Sequence, residues 1–228
     1  MRSSKLFTLP SAMKLSERRF GSWAIAGKRS LFMPANRSVP DVAEKRKSWN
    51  GLISGFKASN LVFLDESGCN TDMTRRYAYS FGGSRAVDST PLSKPKNTTI
   101  LSSIQLDGTL RYTTFSGGTT VEKFKRYLEN DLLPYLNRNS VLVMDNMKSH
   151  HAKAVKDLLD SSGIRYIYLP PYSPDLNPIE KLWSKVKALL RKFKARTLEE
   201  LPDAIQNAFC AVTAADCSGW FKSCDYLH

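Results

Sequence analysis

Two short apolar runs, Leu61-Val62-Phe63-Leu64 and Val141-Leu142-Val143-Met144, each stop at an aspartate, Asp65 and Asp145. An unbroken apolar run of this length suits a strand covered on both faces, whereas a strand with one wet face alternates. Two such strands in one chain call for a sheet with helices packed on both sides. In open sheets of this kind, functional side chains gather outside the carboxyl ends of the strands. If the two strands are neighbours, both aspartates emerge at one place.

The remaining pattern fills in that architecture. The spacing of Trp49, Leu52, Ile53 and Phe56 predicts a helix over 41–56. Residues 76–81 alternate and are closed by Gly82-Gly83, which predicts a strand. Thr98 to Leu106 reads as a strand stopped by Asp107-Gly108, a hairpin signal, with a return strand from Leu110 to Phe115. Thr119 or Thr120 opens a helix to about Leu136. After the second apolar run come a helix from Ala152 to Leu159, a stop at Ser161-Ser162-Gly163, and a strand from Ile164 to Leu169. Pro170 to Pro174 forms a rigid, extended loop. Asn177-Pro178 starts a long helix reaching about Lys194, and Thr197-Leu198-Glu199-Glu200 starts another. Three strands, a helix, then strand–helix–strand–helix give an α/β chain with a mixed sheet flanked by helices.

Composition narrows the class. Of the 228 residues, 42% are apolar and 11% aromatic, enough for a buried core, yet no apolar run approaches the roughly 18–20 residues of a membrane span. Met1 to Lys5 carries charge without an apolar stretch behind it, so no signal peptide is expected and the protein is read as cytoplasmic. The net charge of +13 suits a partner that is a polyanion, nucleic acid above all. Residues 1–60 hold 12 of the basic residues against 3 acidic ones, and up to Pro40 their apolar pattern is irregular. Residues 1–40 are therefore read as a basic, irregular N-terminal segment, and 41–228 as the folded domain. The four cysteines form no Cys-x-x-Cys pair, and Cys210, Cys217 and Cys224 recur every seven residues. That spacing predicts buried thiols on one helical face rather than a zinc site.

A third acid, Glu180, falls in the first turn of the helix after the proline-rich loop, with 34 residues between it and Asp145. Clustered carboxylates repel one another unless cations neutralise them. As hard oxygen donors they suit magnesium or manganese, and two such ions are the usual device for phosphoryl transfer. Each acid alone has a plainer reading. An aspartate after a strand is commonly a turn or cap residue, and Asn177-Pro178-Ile179-Glu180 fits a capping box. On spacing alone the cap is the better reading of Glu180.

The combination is more specific. The stretches LVFLDESGCN (61–70), VLVMDNMKSH (141–150) and YLPPYSPDLNPIEKLW (168–183) resemble the mariner superfamily of DDE transposases, with the nearest likeness to its bacterial insertion-sequence branch. The resemblance extends from about Pro40 to the end, including Gly219-Trp220-Phe221. It implies a ribonuclease H-like fold and a catalytic triad of Asp65, Asp145 and Glu180 holding two Mg2+ or Mn2+ ions. It also implies cutting of DNA at transposon ends and joining of those ends to target DNA, typically at a TA dinucleotide. Water is then the first nucleophile and a DNA 3′-hydroxyl the second, with no covalent protein–DNA intermediate. Homodimerisation is implied as well. Family members carry a helix-turn-helix region ahead of the catalytic domain. Here 64 residues precede Asp65, and their pattern does not read as two such modules. The alternative is a truncated, non-transposing DNA-binding relic or a regulator of a full-length transposase. A stand-alone nuclease that cuts without joining is the rival enzyme.

Around the triad, the helix after Glu180 carries an apolar stripe of Ile179, Leu182, Trp183, Val186, Leu189, Leu190 and Phe193. Lys187 and Arg191 fall on the side of Glu180 and either meet DNA phosphates, with Lys181, Lys185 and Lys192 extending the basic surface, or belong to a solvated basic helix face. Asn146 and His150 either orient substrate and metal water or cap the next helix. Tyr172 and Pro174 shape the loop above the acids. Glu66 is expected on the opposite face of its strand from Asp65.

Overall fold

A computed structural model of the chain describes residues 40–75, 80, 82, 84–89 and 95–227. The basic segment 1–39 and most of the alternating stretch 76–81 lie outside the described residues. The helix α1, Pro40–Ile53, precedes a five-stranded sheet. Its strands are β1 (Leu61–Cys69), β2 (Thr98–Gln105), β3 (Leu110–Ser116), β4 (Val141–Met144) and β5 (Arg165–Tyr168), in the spatial order β3-β2-β1-β4-β5. β2 runs antiparallel to β1 and to β3, while β4 and β5 continue parallel to β1.

The two apolar runs are the adjacent central strands, paired from Leu61↔Val141 to Leu64↔Met144. Alternation along β1 sends Leu61 and Phe63 to one face and Val62 and Leu64 to the other, and all four are at most 1% exposed. On the Leu61 face lie Trp49 of α1 and the helices α4 (Ile179–Phe193), α5 (Leu201–Cys210) and α6 (Ala214–Ser223). On the Val62 face lie α2 (Val121–Tyr127), the turns that extend it to Tyr135, and α3 (Lys153–Ser162). Full burial of each large apolar side chain in these layers contributes roughly 1.5–3 kcal/mol.

Local chemistry explains the ends of several elements. Thr120 caps α2 through its hydroxyl. Gly163 closes α3 in the left-handed conformation, at φ 68°. In the β2–β3 hairpin Gly108 has φ 92°, and a Cβ there would stand 2.9 Å from Cα of Ala214, so the turn seats directly under the start of α6.

Several expectations are corrected. β1 does not stop at Asp65 but runs to Cys69, because β2 continues to pair with it, Asp65 opposite Ser102, after β4 has ended. Asp65 is thus at a carboxyl end only with respect to its parallel neighbour. The proline-rich loop is not simply extended. Tyr172 turns it at φ 54°, a conformation costing a non-glycine residue roughly 1–2 kcal/mol. The late cysteines do not share one helix: Cys210 ends α5 and is exposed, whereas Cys217 and Cys224 are buried with α6, and all four thiols are free. Phe193, at the end of the apolar stripe, is 41% exposed. Among the described residues no helix is long and apolar enough to cross a membrane.

Candidate active site

Where β4 stops and β1 runs on, a cavity of about 440 Å³ opens. Asp65, Asp145 and Glu180 line it together with Asn146, Tyr172 and Asn177. Three elements therefore deliver the three acids: the middle of β1, the residue after β4, and the first turn of α4. Asp65 shares the Phe63 face of β1 and so points toward α4, where Trp183 Nε1 donates to its Oδ2 at 3.1 Å. Its Oδ1 accepts from the Glu66 amide at 2.8 Å.

The capping-box reading of Glu180 fails on geometry. Among the described residues no side chain caps the start of α4, and Asn177 Oδ1 is buried without a hydrogen-bond partner. The Glu180 amide is met by the Asn177 carbonyl instead, which leaves the Glu180 carboxylate to the cavity. Likewise, neither Asn146 nor His150 caps α3, whose N-cap is Ala152 with no side-chain bond. Asn146 Nδ2 donates to the Leu169 carbonyl, and the Leu169 amide donates to the Met144 carbonyl at 2.8 Å, so the proline-rich loop is anchored where it leaves β5. Farther along, the Arg46 guanidinium from α1 donates to Asp175 Oδ2 at 2.6 Å and to Asp175 Oδ1 at 3.1 Å, and also to the Ser173 hydroxyl.

His150 is fully buried, its ring 4.3 Å from that of Phe124 in a stacked arrangement. Its Nδ1 is 2.9 Å from Asp145 Oδ1, and its Nε2 is 3.1 Å from Glu66 Oε1. Burial works against its charge, but the bonds to Asp145 and Glu66 prevail and push it up to about 9. Both ring nitrogens then carry hydrogen at neutral pH and donate. Asp145 responds in the opposite sense. Burial would raise it, but the hydrogen bonds from His150 and the Met147 amide hold its carboxyl below the usual range. Burial pushes Asp65 up to about 7, with further raising by the charges of Glu180, Glu66 and Asp145. Glu180 is also raised, chiefly by burial and also by Asp145, against the opposing charge of Lys187. Asp65 and Glu180, unlike Asp145, thus lack sufficient countercharge from the protein.

As placed, no three His, Cys, Asp or Glu side chains among the described residues stand close enough to share one ion. The donors nevertheless fit a hard divalent cation in kind. Three carboxylates and the Asn177 side chain line one cavity, and among the described residues the hydrogen bonds to the Asp145 carboxylate, from the Met147 amide and from His150 Nδ1, fall on Oδ1 rather than Oδ2.

Of the basic residues on α4, Lys187 is the one whose charge reaches Glu180, and Arg191 follows one turn on, half-buried. Lys181 is exposed. Lys185 is bonded to Asp216, which ties α4 to the capping box of α6. Glu66, expected on the face opposite Asp65, meets His150 there, a contact that pattern reading did not foresee, and Trp183, placed only in an apolar stripe, meets Asp65. The signal for Glu66 was a charged residue on the Val62–Leu64 face of a strand otherwise buried there. Nothing in the sequence distinguishes Trp183 from the rest of its stripe.

Residues 60–202 match the family model described as DDE superfamily endonuclease. Over 93 residues the chain is 30% identical to the transposable element Tcb2 transposase of Caenorhabditis briggsae, which covers 39% of this chain and 34% of that protein. Among solved structures, the Mos1 transposase paired-end complex with the left transposon end superposes with a TM-score of 0.73 at 19% identity, over 88% of this chain and 63% of that one. The catalytic domain of Mos1 mariner transposase gives 0.65 at 18% identity, over 85% and 92%. The chain thus spans about a third of the curated relative and under two thirds of the Mos1 chain in that complex. At these identities the structural likeness establishes the fold, a ribonuclease H-like mixed sheet. Mos1 paired-end complexes have been solved with Mn and with Mg.

Proposed function

The chain belongs to the DDE superfamily of endonucleases, and from that membership we propose that residues 41–228 are the catalytic domain of a DNA transposase, with the basic segment 1–40 outside it. One observation carries the reading: Asp65, Asp145 and Glu180, far apart in sequence, border a single cavity where the parallel pairing of β1 with β4 ends. In this reading the three acids hold two Mg2+ or Mn2+ ions. Bound there, the ions supply Lewis acidity at the attacking and leaving oxygens of a phosphodiester. Burial, with a smaller contribution from the charges of neighbouring acids, raises Asp65 and Glu180, and a divalent cation held there would favour their ionised forms.

The protein's own groups do the rest. His150 holds the Asp145 carboxylate in orientation. Asn146, bonded to Leu169, keeps the proline-rich loop against the cavity. Lys187 and Arg191, with Lys181 beyond them, bind DNA phosphates next to the cut. Lys185 contributes to that surface only when it leaves Asp216. The DNA comprises transposon ends and a target, the chain acts in the cytoplasm, and a homodimer brings two ends together. Assignment to the bacterial insertion-sequence branch rests on the PPYSPDLNPIE stretch and the 34-residue Asp145–Glu180 interval.

The test is strand transfer. The full chain is incubated with Mn2+, a duplex carrying the pre-cut 3′ end of its element, and supercoiled plasmid. Covalent joining of the duplex to the plasmid is expected. Metal-dependent nicks without joining would identify a stand-alone nuclease, and retention of DNA with no metal-dependent product would identify a DNA-binding relic.

A further inference from the structure

We propose that Glu66 is a positioning residue for the metal site: through the His150 ring it fixes the orientation of the Asp145 carboxylate. The proposal rests on the reading of Asp145 as a metal ligand. Alternation along β1 turns Glu66 away from Asp65, onto the face that carries Val62 and Leu64. There its side chain is only 7% exposed, and its Oε1 meets His150 Nε2 at 3.1 Å. Its second oxygen, Oε2, is buried with no hydrogen-bond partner among the described residues. A buried carboxylate with only one of its oxygens satisfied is costly. An apolar residue would continue the Val62–Leu64 face more favourably, so packing does not account for a glutamate at this position.

What the glutamate does account for is the setting of His150. The ring stacks on Phe124 with the two planes inclined by 30°, the His150 carbonyl accepts from the Tyr168 hydroxyl at 3.0 Å, and Nε2 is bonded to Glu66. Stacking on Phe124 restrains the turn of the ring about χ2, and the bond from Nε2 to Glu66 restrains its swing about χ1. Nδ1 is left aimed at Asp145 Oδ1. Glu66 and Asp145 are thereby linked across β1 and β4 through one imidazole. Partners that orient ligands in this way change metal affinity by about 10- to 100-fold when removed.

The experiment is calorimetric titration of Mn2+ into the full chain, with thermal unfolding recorded for every variant. Glu66→Leu removes the acceptor; Glu66→Gln keeps an oxygen facing Nε2. His150→Asn retains a donor near the Nδ1 position but cuts the link to Glu66, and it serves if Glu66→Leu does not fold. Weakening of Mn2+ binding by about 10- to 100-fold is expected in Glu66→Leu and in His150→Asn, with recovery to within a few-fold of the parent in Glu66→Gln. Adding Glu66→Leu or Glu66→Gln to His150→Asn should weaken binding no further. Parental affinity in Glu66→Leu or His150→Asn, or a Glu66→Gln as weak as Glu66→Leu, would overturn the proposal. Asp145→Asn is the control: if it binds Mn2+ like the parent, the reading of Asp145 as a ligand fails, whereas loss there with parental Glu66→Leu sinks the role of Glu66 alone.

Discussion

The Trp183 indole donates to Asp65 Oδ2 at 3.1 Å, which ties the helix bearing Glu180 to the strand bearing Asp65. Trp183 is 4% exposed and packs in the same layer as Phe63. Its bond steadies a carboxylate that burial and neighbouring acids already disfavour. Trp183→Phe keeps most of the packing and deletes the donor. Metal-dependent DNA cleavage by this variant should fall roughly tenfold, the equivalent of one hydrogen bond of about 1.4 kcal/mol, while the fold persists. Cleavage kinetics at saturating Mn2+, beside a thermal melt, check this.

The pH dependence of stability follows from Asp65. Its carboxyl, ordinarily at 3.8, is pushed up to about 7 in the fold. Between these values the folded chain holds a proton that the unfolded chain has released. The contribution of Asp65 to stability is therefore complete below about pH 4 and declines as pH rises through 7. Asp65→Asn cannot titrate. In chelator, the melting temperature of the parent relative to Asp65→Asn should fall from pH 4 to pH 8, and Mn2+ should reverse that trend most strongly above pH 7. A constant difference across this range would show that Asp65 titrates in the ordinary carboxylate range.

On α4, Lys187 and Arg191 should differ from Lys185. Charge reversal at Lys187 and Arg191 should weaken DNA binding and flatten its salt dependence by about one unit of slope for each phosphate no longer neutralised. Lys185→Ala breaks the bond to Asp216 and so should lower stability by about 1 kcal/mol with a smaller effect on DNA. Filter binding across a salt series, with urea melts, separates the two.

The Arg46–Asp175 pair joins α1 to the loop that carries Tyr172 into the cavity wall. Arg46→Ala should cost about 1 kcal/mol and raise amide exchange across residues 171–176 more than in β1 or β4. Hydrogen-exchange mass spectrometry reads both regions in one experiment.

Much of this arrangement is legible in the residues. Leu61–Leu64 and Val141–Met144 announce central strands because burial on both faces leaves no polar alternation, and the hairpin at Asp107-Gly108 follows from turn chemistry. Asp65 and Asp145 are marked by standing where those runs stop. Glu180 is not: its spacing alone favours a helix cap, and the lack of a side-chain cap on α4 together with the shared cavity reverses that reading. The continuation of β1 to Cys69 depends on a partner strand, β2, that is distant in sequence. The link from Glu66 to His150 likewise spans 84 residues, and no local pattern signals it. The exposure of Phe193 and the turned conformation of Tyr172 are set by tertiary surroundings that periodicity does not see.

The most direct measurement is cleavage of supercoiled plasmid and of duplex bearing the element's ends, by the parent chain and by Asp145→Asn, with Mn2+, with Mg2+ and with chelator. Cleavage by the parent only in the presence of metal is expected. In Asp145→Asn it should fall on the order of 10³-fold, since a disabled metal centre removes several kcal/mol of barrier lowering. Equal cleavage by both chains, or cleavage that persists in chelator, would contradict the assignment of Asp65, Asp145 and Glu180 as one metal-binding catalytic site.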